Sequence, residues 1–272
     1  MGNPNLGVSK PVDAMERAAN KAQAISGAMP NFRRFHLNLW TEGAQNWIAG
    51  DVWNAGDAAM PIRLEALRGR KAWVGLDLSS KVDTTAIVVA VPDAGLMYLI
   101  PYAFIPSGPK GFMERAKTEK REYVAWRDQG HLEVHDGGTI DEDRVVARLE
   151  EIRAHFDLQE VAYDDWGMKY LAARLDKMGF PMVEHRQGFA SMSNPMKRFE
   201  ELVANKRIRH GGHPVLAWHV ANVHRDEDAA ENIKPNKKKS KGRIDVAVAA
   251  IMALGRAETG ESKGKAREVD FI

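Results

Sequence analysis

Three short stretches of the chain each place an acidic residue against apolar sequence: Trp73–Asp77, Val161–Trp166 and Arg243–Val248. The first two are typical of strands that end in a carboxylate, and the third places Asp245 on the first turn of an apolar helix. Because a buried carboxylate is costly without a partner, three brought together would need a cation. Magnesium and manganese suit hard oxygen ligands, so the pattern predicts a metal-dependent phosphoryl-transfer site, such as that of a nuclease.

Each aspartate also has a purely structural interpretation. Asp77 has the position of a turn residue or helix cap, and Asp164 that of a cap on the next helix. Asp245 is also favoured by the helix dipole. Because strand side chains alternate, Asp164 and Asp165 point to opposite sides, and we expect Asp164 to join the site. Asp83, near the start of the next strand, is either a fourth or outer ligand or a plain turn aspartate.

The composition sets few limits on partners. With 272 residues, 44% of them hydrophobic, and a net charge of +2, the chain can hold one large domain with nearly balanced charge. The absence of cysteine excludes disulfides, thiolate catalysis and cysteine-ligated zinc. The start lacks a secretory signal, and no apolar run approaches the ~20 residues that span a bilayer. We therefore expect a soluble cytoplasmic protein with no membrane partner.

The elements that must position the aspartates follow from hydrophobic periodicity. Three strands are predicted first, and the turn signal at residues 92–95 favours an antiparallel meander. Helices and short strands then alternate, which predicts an α/β fold with a mixed sheet flanked by helices on both faces. The predicted strands are 72–78, 85–91, 97–104, 160–163 and 181–186, and the predicted helices are 11–26, 111–128, 141–156, 169–178, one from Asn194-Pro195 to before Gly211, and 244–254.

Several long and unusual segments match a known family. They are Arg34–Glu42, Gly75–Ser80, Ala162–Asp164, Val183–Gly188 and Asn232–Asp245. With these segments, spread over most of its length, the chain resembles the C-terminal part of the terminase large subunit, the packaging motor of tailed double-stranded DNA phages. One departure is Asp165-Trp166, where many relatives are similar to a Pro-Trp sequence.

The resemblance implies a ribonuclease H-like nuclease that cuts concatemeric genomic DNA during packaging in the host cytoplasm. It also implies two divalent metal ions held by Asp77, Asp164 and Asp245, with Asp83 as a plausible addition. Its implied partners are double-stranded DNA, other terminase subunits and the portal. The motor's phosphate-binding loop motif does not occur in the chain. We therefore expect residues 1–66 to be the end of the motor portion and a linker, 67–257 the nuclease domain, and 258–272 a flexible tail.

A cluster of basic residues directly precedes Asp245. Cations at this place would lie close to a scissile phosphate and its flanking backbone, although lysine runs are also common in solvated loops. Arg186 follows a strand and either reaches phosphates or hydrogen-bonds at the strand end. The predicted DNA-binding residues are Lys234, Lys237, Lys238, Lys239, Lys241, Arg243 and Arg186.

Two other functions remain open from the residues. A junction resolvase or transposase would gather carboxylates around two metals on the same scaffold. A non-enzymatic DNA-binding or motor-assembly module would use the aspartates only as structural caps. Metal-dependent cleavage of plasmid DNA separates this module from the nucleases.

Overall fold

The computed structural model describes residues 11–24, 32, 36, 47–78, 83–164 and 168–269. Two units are distinguished along the chain, Met1–Trp47 and Ile48–Ile272. In the first unit, Met15 of helix α1 (Val12–Ala24) clusters with Phe32. The domain boundaries expected after residues 66 and 257 stay predictions.

A mixed sheet of seven strands lies at the centre of the second unit. Its strands are β1 (Lys71–Asp77), β2 (Thr85–Asp93), β3 (Leu96–Pro106), β4 (Glu133–His135), β5 (Asp157–Tyr163), β6 (Met182–Glu184) and β7 (Ile208–Arg209). The order is β4-β3-β2-β1-β5-β6, with β7 also paired to β3. β1, β2 and β3 form the predicted antiparallel meander, whereas β5 runs parallel to β1. A separate antiparallel pair consists of β8 (Arg225–Glu227) and β9 (Ile233–Pro235).

Helices flank this sheet, which confirms the predicted α/β class. In chain order they are α2 (Gly50–Trp53), α3 (Phe112–Glu119), α4 (Tyr123–Asp128), α5 (Glu142–His155), α6 (Lys169–Lys177), α7 (Phe189–Ala204), α8 (Pro214–Asn222) and α9 (Asp245–Val269), with a 3₁₀ turn at Leu64–Leu67. Among the described residues, no helix is long and apolar enough to cross a bilayer.

Three helices differ by several residues from their predicted bounds, and one of these is α9, which was predicted over 244–254 but extends to Val269. The helix predicted over 111–128 is divided into α3 and α4, because Lys120 adopts a left-handed conformation with φ 49°. The helix predicted to begin near Asn194-Pro195 begins at Phe189, so Pro195 lies inside α7. Proline usually disrupts a helix interior, but this ring packs where a side chain on Gly255 would lie, 2.6 Å from the Pro195 Cγ. The contact between α7 and α9 has therefore outweighed the tendency of proline to begin or end a helix.

The central strands are buried on both faces. On one face, alternate β1 residues such as Val74 and Leu76 pack with apolar residues of α5 and α6. On the other face lies α9, whose residues 246–254 are fully buried. Gly75 permits this close approach, since a Cβ there would lie 2.0 Å from the Ala249 carbonyl oxygen. The first turn of α9 is thereby held against the end of β1.

Candidate metal-binding site

Asp77 and Asp245 converge at the end of the central strand. Asp77 is the last residue of β1 and shares the face of Gly75, because strand side chains alternate. Asp245 is the first residue of α9, one helical turn before Ala249, which Gly75 contacts. Their side chains are only 8% and 4% exposed. The sequence therefore placed both carboxylates correctly on their elements, and the packing of α9 on β1 brings them together.

A lysine ammonium bridges these two carboxylates. Lys237 Nζ lies 2.8 Å from Asp77 Oδ2 and 2.9 Å from Asp245 Oδ1. The second oxygen of Asp245, Oδ2, is buried and has no hydrogen-bond partner among the described residues. The pair therefore presents a position for a cation and retains one buried oxygen with unused acceptor capacity.

Burial dominates the electrostatics of this pair. It raises the pKa of Asp77 above its ordinary value, against the effect of Lys237, and the charges of Asp245 and Asp164 raise it further. Burial alone would lower the pKa of Lys237, but the two carboxylates outweigh it and raise that pKa well above normal. The ammonium is therefore held charged between groups that water solvates poorly.

Asp164 lies beside Asp77, where the parallel strands β1 and β5 end. It follows β5 directly, and the preceding Tyr163 is the register partner of Leu76. Its side chain is half-buried, and its charge contributes to the raised pKa of Asp77. Asp165 lies outside the described residues, so the preference for Asp164 over Asp165 stays a prediction.

The start of α9 depends on a histidine that the sequence analysis did not assign. His219 of α8 is completely buried, and its Nδ1 accepts a hydrogen bond of 3.1 Å from the Val246 backbone N–H. Burial lowers the pKa of His219 to about 3, so the ring is neutral and can accept this bond. His219 thereby fixes the turn that carries Asp245. No sequence motif identifies it, because α8 and α9 are separated by the β8–β9 hairpin.

Asp83, in the loop before β2, forms an ion pair with an arginine. Arg243 Nε lies 2.9 Å from Asp83 Oδ1, and its NH2 lies 3.0 Å from Glu119 Oε1. The Tyr123 hydroxyl donates to Glu119 Oε2 at 2.7 Å and accepts from Arg243 NH1 at 3.2 Å. Arg243 therefore joins the loop before β2 to α3 and α4, a role that the sequence analysis did not foresee. Whether Asp83 also binds metal stays a prediction.

The remaining predicted DNA-binding residues divide between paired and exposed groups. Lys239 Nζ lies 2.8 Å from Asp226 Oδ1, and Lys234 Nζ lies 4.8 Å from the centre of the Phe189 ring. Arg186 contacts Glu184 at 2.9 Å while 83% of its side chain is exposed. Lys238 and Lys241 are exposed on the loop between β9 and α9.

A divalent cation fits the donor set at this edge of the sheet. Carboxylate oxygens are the ligands that magnesium and manganese prefer, and the buried Asp245 Oδ2 has capacity for a further contact. In the described part of the chain, however, no group of three or more acidic, histidine or cysteine side chains is arranged to hold an ion. The ammonium thus occupies the region between the two nearest carboxylates.

The comparisons with known proteins identify the family of this chain. The model of the family "Terminase large subunit, endonuclease domain" matches residues 1–261. The terminase large subunit of Enterobacteria phage HK97 is 37% identical over 274 residues, covering 99% of this chain and 53% of that protein. The chain thus spans about half the length of this curated relative.

Two solved structures support the fold. The crystal structure of the HK97 large terminase is similar with a TM-score of 0.70 at 36% identity, covering 93% of this chain and 52% of that one. The large terminase nuclease of thermophilic phage G20c with bound magnesium has a TM-score of 0.51 at 13% identity, covering 79% and 98%. That second likeness shows the fold alone, which is ribonuclease H-like. This chain therefore belongs to the family of terminase large subunit endonuclease domains.

Proposed function

We propose that this chain is a divalent-metal-dependent endonuclease that hydrolyses double-stranded DNA, cutting concatemeric phage genomes during packaging. One observation carries the proposal: two buried carboxylates from distant parts of the chain, Asp77 and Asp245, converge on a single cation position at the end of a central strand. Metal-dependent hydrolysis requires carboxylates that converge on a cation, and this pair does so. The family membership supports the same chemistry.

Asp77, Asp164 and Asp245 are the proposed metal ligands, with Asp83 as a further candidate. Two magnesium or manganese ions, when bound, would lower the pKa of an attacking water and stabilise the leaving oxygen of a phosphodiester. Asp77 belongs to the strand next to Asp164 and beneath the helix of Asp245, so it is the central member of the three carboxylates that would hold the metal. Gly75 and His219 hold these carboxylates in position by fixing α9.

The loop between β9 and α9 is the proposed DNA-binding surface. Lys238 and Lys241 are exposed there, and Arg186 extends into solvent at the end of β6. Lysine and arginine contacts to phosphates are independent of sequence and weaken as salt rises. We propose other terminase subunits and the portal as partners, and the host cytoplasm as the place of action, on the basis of family membership.

Cleavage of supercoiled plasmid DNA tests the function. Wild-type protein is expected to nick and linearise the plasmid with Mg²⁺ or Mn²⁺, and EDTA is expected to stop it. Asp77→Asn and Asp245→Asn are each expected to lower the rate by about 100-fold or more, the scale at which lost charge stabilisation affects catalysis. Asp93→Asn is the matched control, because Asp93 is the last residue of β2, which runs antiparallel to β1 and therefore ends far from Asp77. Full activity in Asp77→Asn would contradict the proposal.

A non-enzymatic DNA-binding module is the second candidate, and the Lys237 bridge favours it. A lysine that neutralises two buried aspartates is also a common structural arrangement. This candidate predicts DNA binding that is unaffected by metal and no cleavage at any metal concentration. The plasmid assay therefore separates the two functions.

A further inference from the structure

We propose that Lys237 is an internal cation that occupies the metal position and must leave it when metal binds. It would thus set the metal affinity of the site. The inference rests on the proposed function, since it takes Asp77 and Asp245 as metal ligands. Lys237 Nζ contacts one oxygen of each carboxylate, at 2.8 and 2.9 Å. Magnesium would approach such oxygens to about 2.0–2.1 Å, so the ion and the ammonium compete for the same oxygen atoms.

The same carboxylates also need a cation when no metal is bound. Both side chains are buried, where water solvates a charge poorly. Removing one partner from a buried ion pair is strongly destabilising, because the remaining charge is left uncompensated. Lys237 thereby stabilises the metal-free protein at the position that the metal would use.

The lysine can leave without a change in the fold. Its side chain is 46% exposed, although its nitrogen lies between two buried carboxylates, so the flexible four-carbon chain can turn towards solvent. The surrounding loop is held independently of this contact. Ser240 Oγ accepts from the His224 backbone N–H at 3.0 Å, and Asn222 Nδ2 donates to the Arg243 carbonyl at 3.0 Å. Displacement therefore requires only a rotamer change of Lys237.

Isothermal titration calorimetry of Mn²⁺ into the DNA-free chain tests the competition. Lys237→Met removes the ammonium while keeping a similar length, and it is expected to bind Mn²⁺ about tenfold more tightly, within the usual range for coupled binding events. Lys239→Met is the matched control, because Lys239 lies on the same loop as Lys237 and makes a 2.8 Å contact with Asp226 of β8. Its Mn²⁺ affinity is expected to equal that of the wild type.

A second measurement uses the wild type and does not depend on the folding of a variant. Acetic anhydride labelling, quantified by mass spectrometry of peptides, reports how accessible each lysine amine is. Addition of Mg²⁺ is expected to increase labelling of Lys237 and to leave labelling of Lys239 unchanged. If Lys237→Met fails to fold, as judged by circular dichroism, the labelling result decides.

The outcomes separate this inference from the proposed function. Equal or weaker Mn²⁺ binding by a folded Lys237→Met protein, or unchanged Lys237 labelling with Mg²⁺, would overturn the competition. If Asp77→Asn abolishes Mn²⁺ binding in that case, the metal site itself still stands. Absence of Mn²⁺ binding by both the wild type and Lys237→Met would overturn both proposals.

Discussion

Lys237 and Lys239 lie on one loop and make contacts of equal length with aspartates, yet the two contacts differ in kind. Each ammonium lies 2.8 Å from a carboxylate oxygen, of Asp77 and Asp226 respectively. The pKa of Asp226 is lowered, first by its hydrogen bond with Lys239 and then by that with Asn236. The pKa of Asp77 is raised, because burial outweighs its lysine. Burial, and not distance, therefore separates a candidate metal ligand from a surface ion pair.

The supporting elements explain this difference. Asp226 lies on β8, in a two-stranded sheet, and Lys239 is 60% exposed. Asp77 ends the strand beneath α9, whose backbone approaches β1 at Gly75. A contact at the surface is weakened by water and salt, whereas one with a buried carboxylate under a packed helix is weakened less. Changes to packing, charge and pH are therefore expected to affect the two contacts unequally.

The largest expected effect comes from the close approach of α9 and β1. Gly75→Ala would place a Cβ about 2.0 Å from the Ala249 carbonyl oxygen, a backbone atom that moves only with the helix. We expect it to lower the free energy of unfolding by about 3 kcal/mol, the upper range for overpacking. Chemical denaturation measures this change. Gly138→Ala, which meets nothing within 4 Å, is the control, and equal stability of the two variants would contradict the packing argument.

The next effect concerns Arg243, a predicted DNA-binding residue that is partly buried and contacts two acidic side chains of other elements. Arg243→Met would break the contacts with Asp83 and Glu119, and its side chain is only 18% exposed. We expect a loss of about 2 kcal/mol in the free energy of unfolding, as for hydrogen bonds to charged groups. Lys241→Met, on the exposed part of the same loop, is expected to change it by less than about 0.5 kcal/mol. Similar losses in both variants would argue against a structural role for Arg243.

A smaller effect is expected from pH, through a buried histidine away from the aspartates. Burial, with the nearby His131, His219 and His210, lowers the pKa of His213 to about 3. The unfolded chain binds this proton near pH 6.5 and the folded chain does not, so stability falls as pH drops from about 6.5 towards 3. The slope from one histidine is at most about 1.4 kcal/mol per pH unit.

His213→Asn tests the source of this slope. His213 Nδ1 accepts from the Leu216 backbone N–H at the start of α8, and asparagine is a good residue for such a cap. Denaturation at pH 7 and pH 5 is expected to show a smaller loss of stability in the variant than in the wild type. An unchanged slope would assign the pH dependence to other groups.

The smallest expected effect distinguishes paired from exposed lysines in DNA binding. Lys238→Met and Lys241→Met are each expected to reduce the slope of log affinity against log salt by about 0.9, the value for one phosphate contact. Lys239→Met is expected to reduce it less, because its charge is already paired with Asp226. Fluorescence anisotropy with labelled duplex DNA at several salt concentrations measures these slopes. Equal reductions in all three variants would show that the surface ion pair opens on binding.

Much of the fold and part of the candidate site followed from local pattern. The apolar runs predicted β1, β2 and β3, and the carboxylate after an apolar run predicted Asp77 at the end of its strand. Other helices were predicted with wrong bounds. Pro195 lies inside α7 because its ring packs against Gly255, and the expected helix over 111–128 breaks at Lys120.

By itself, the sequence placed Asp77 at the end of a strand and Asp245 on the first turn of a helix, because side-chain periodicity and apolar content act over a few neighbouring positions. It therefore identified Asp77, Asp164 and Asp245 as candidates, together with the basic loop. Only the tertiary structure decided which acidic residues the basic residues of that loop contact. Lys237 reaches Asp77 across 160 residues of chain, while Arg243 is bound to Asp83 and Glu119. Such pairings depend on how α9 packs against the sheet, and burial in that packing gives each charge its role.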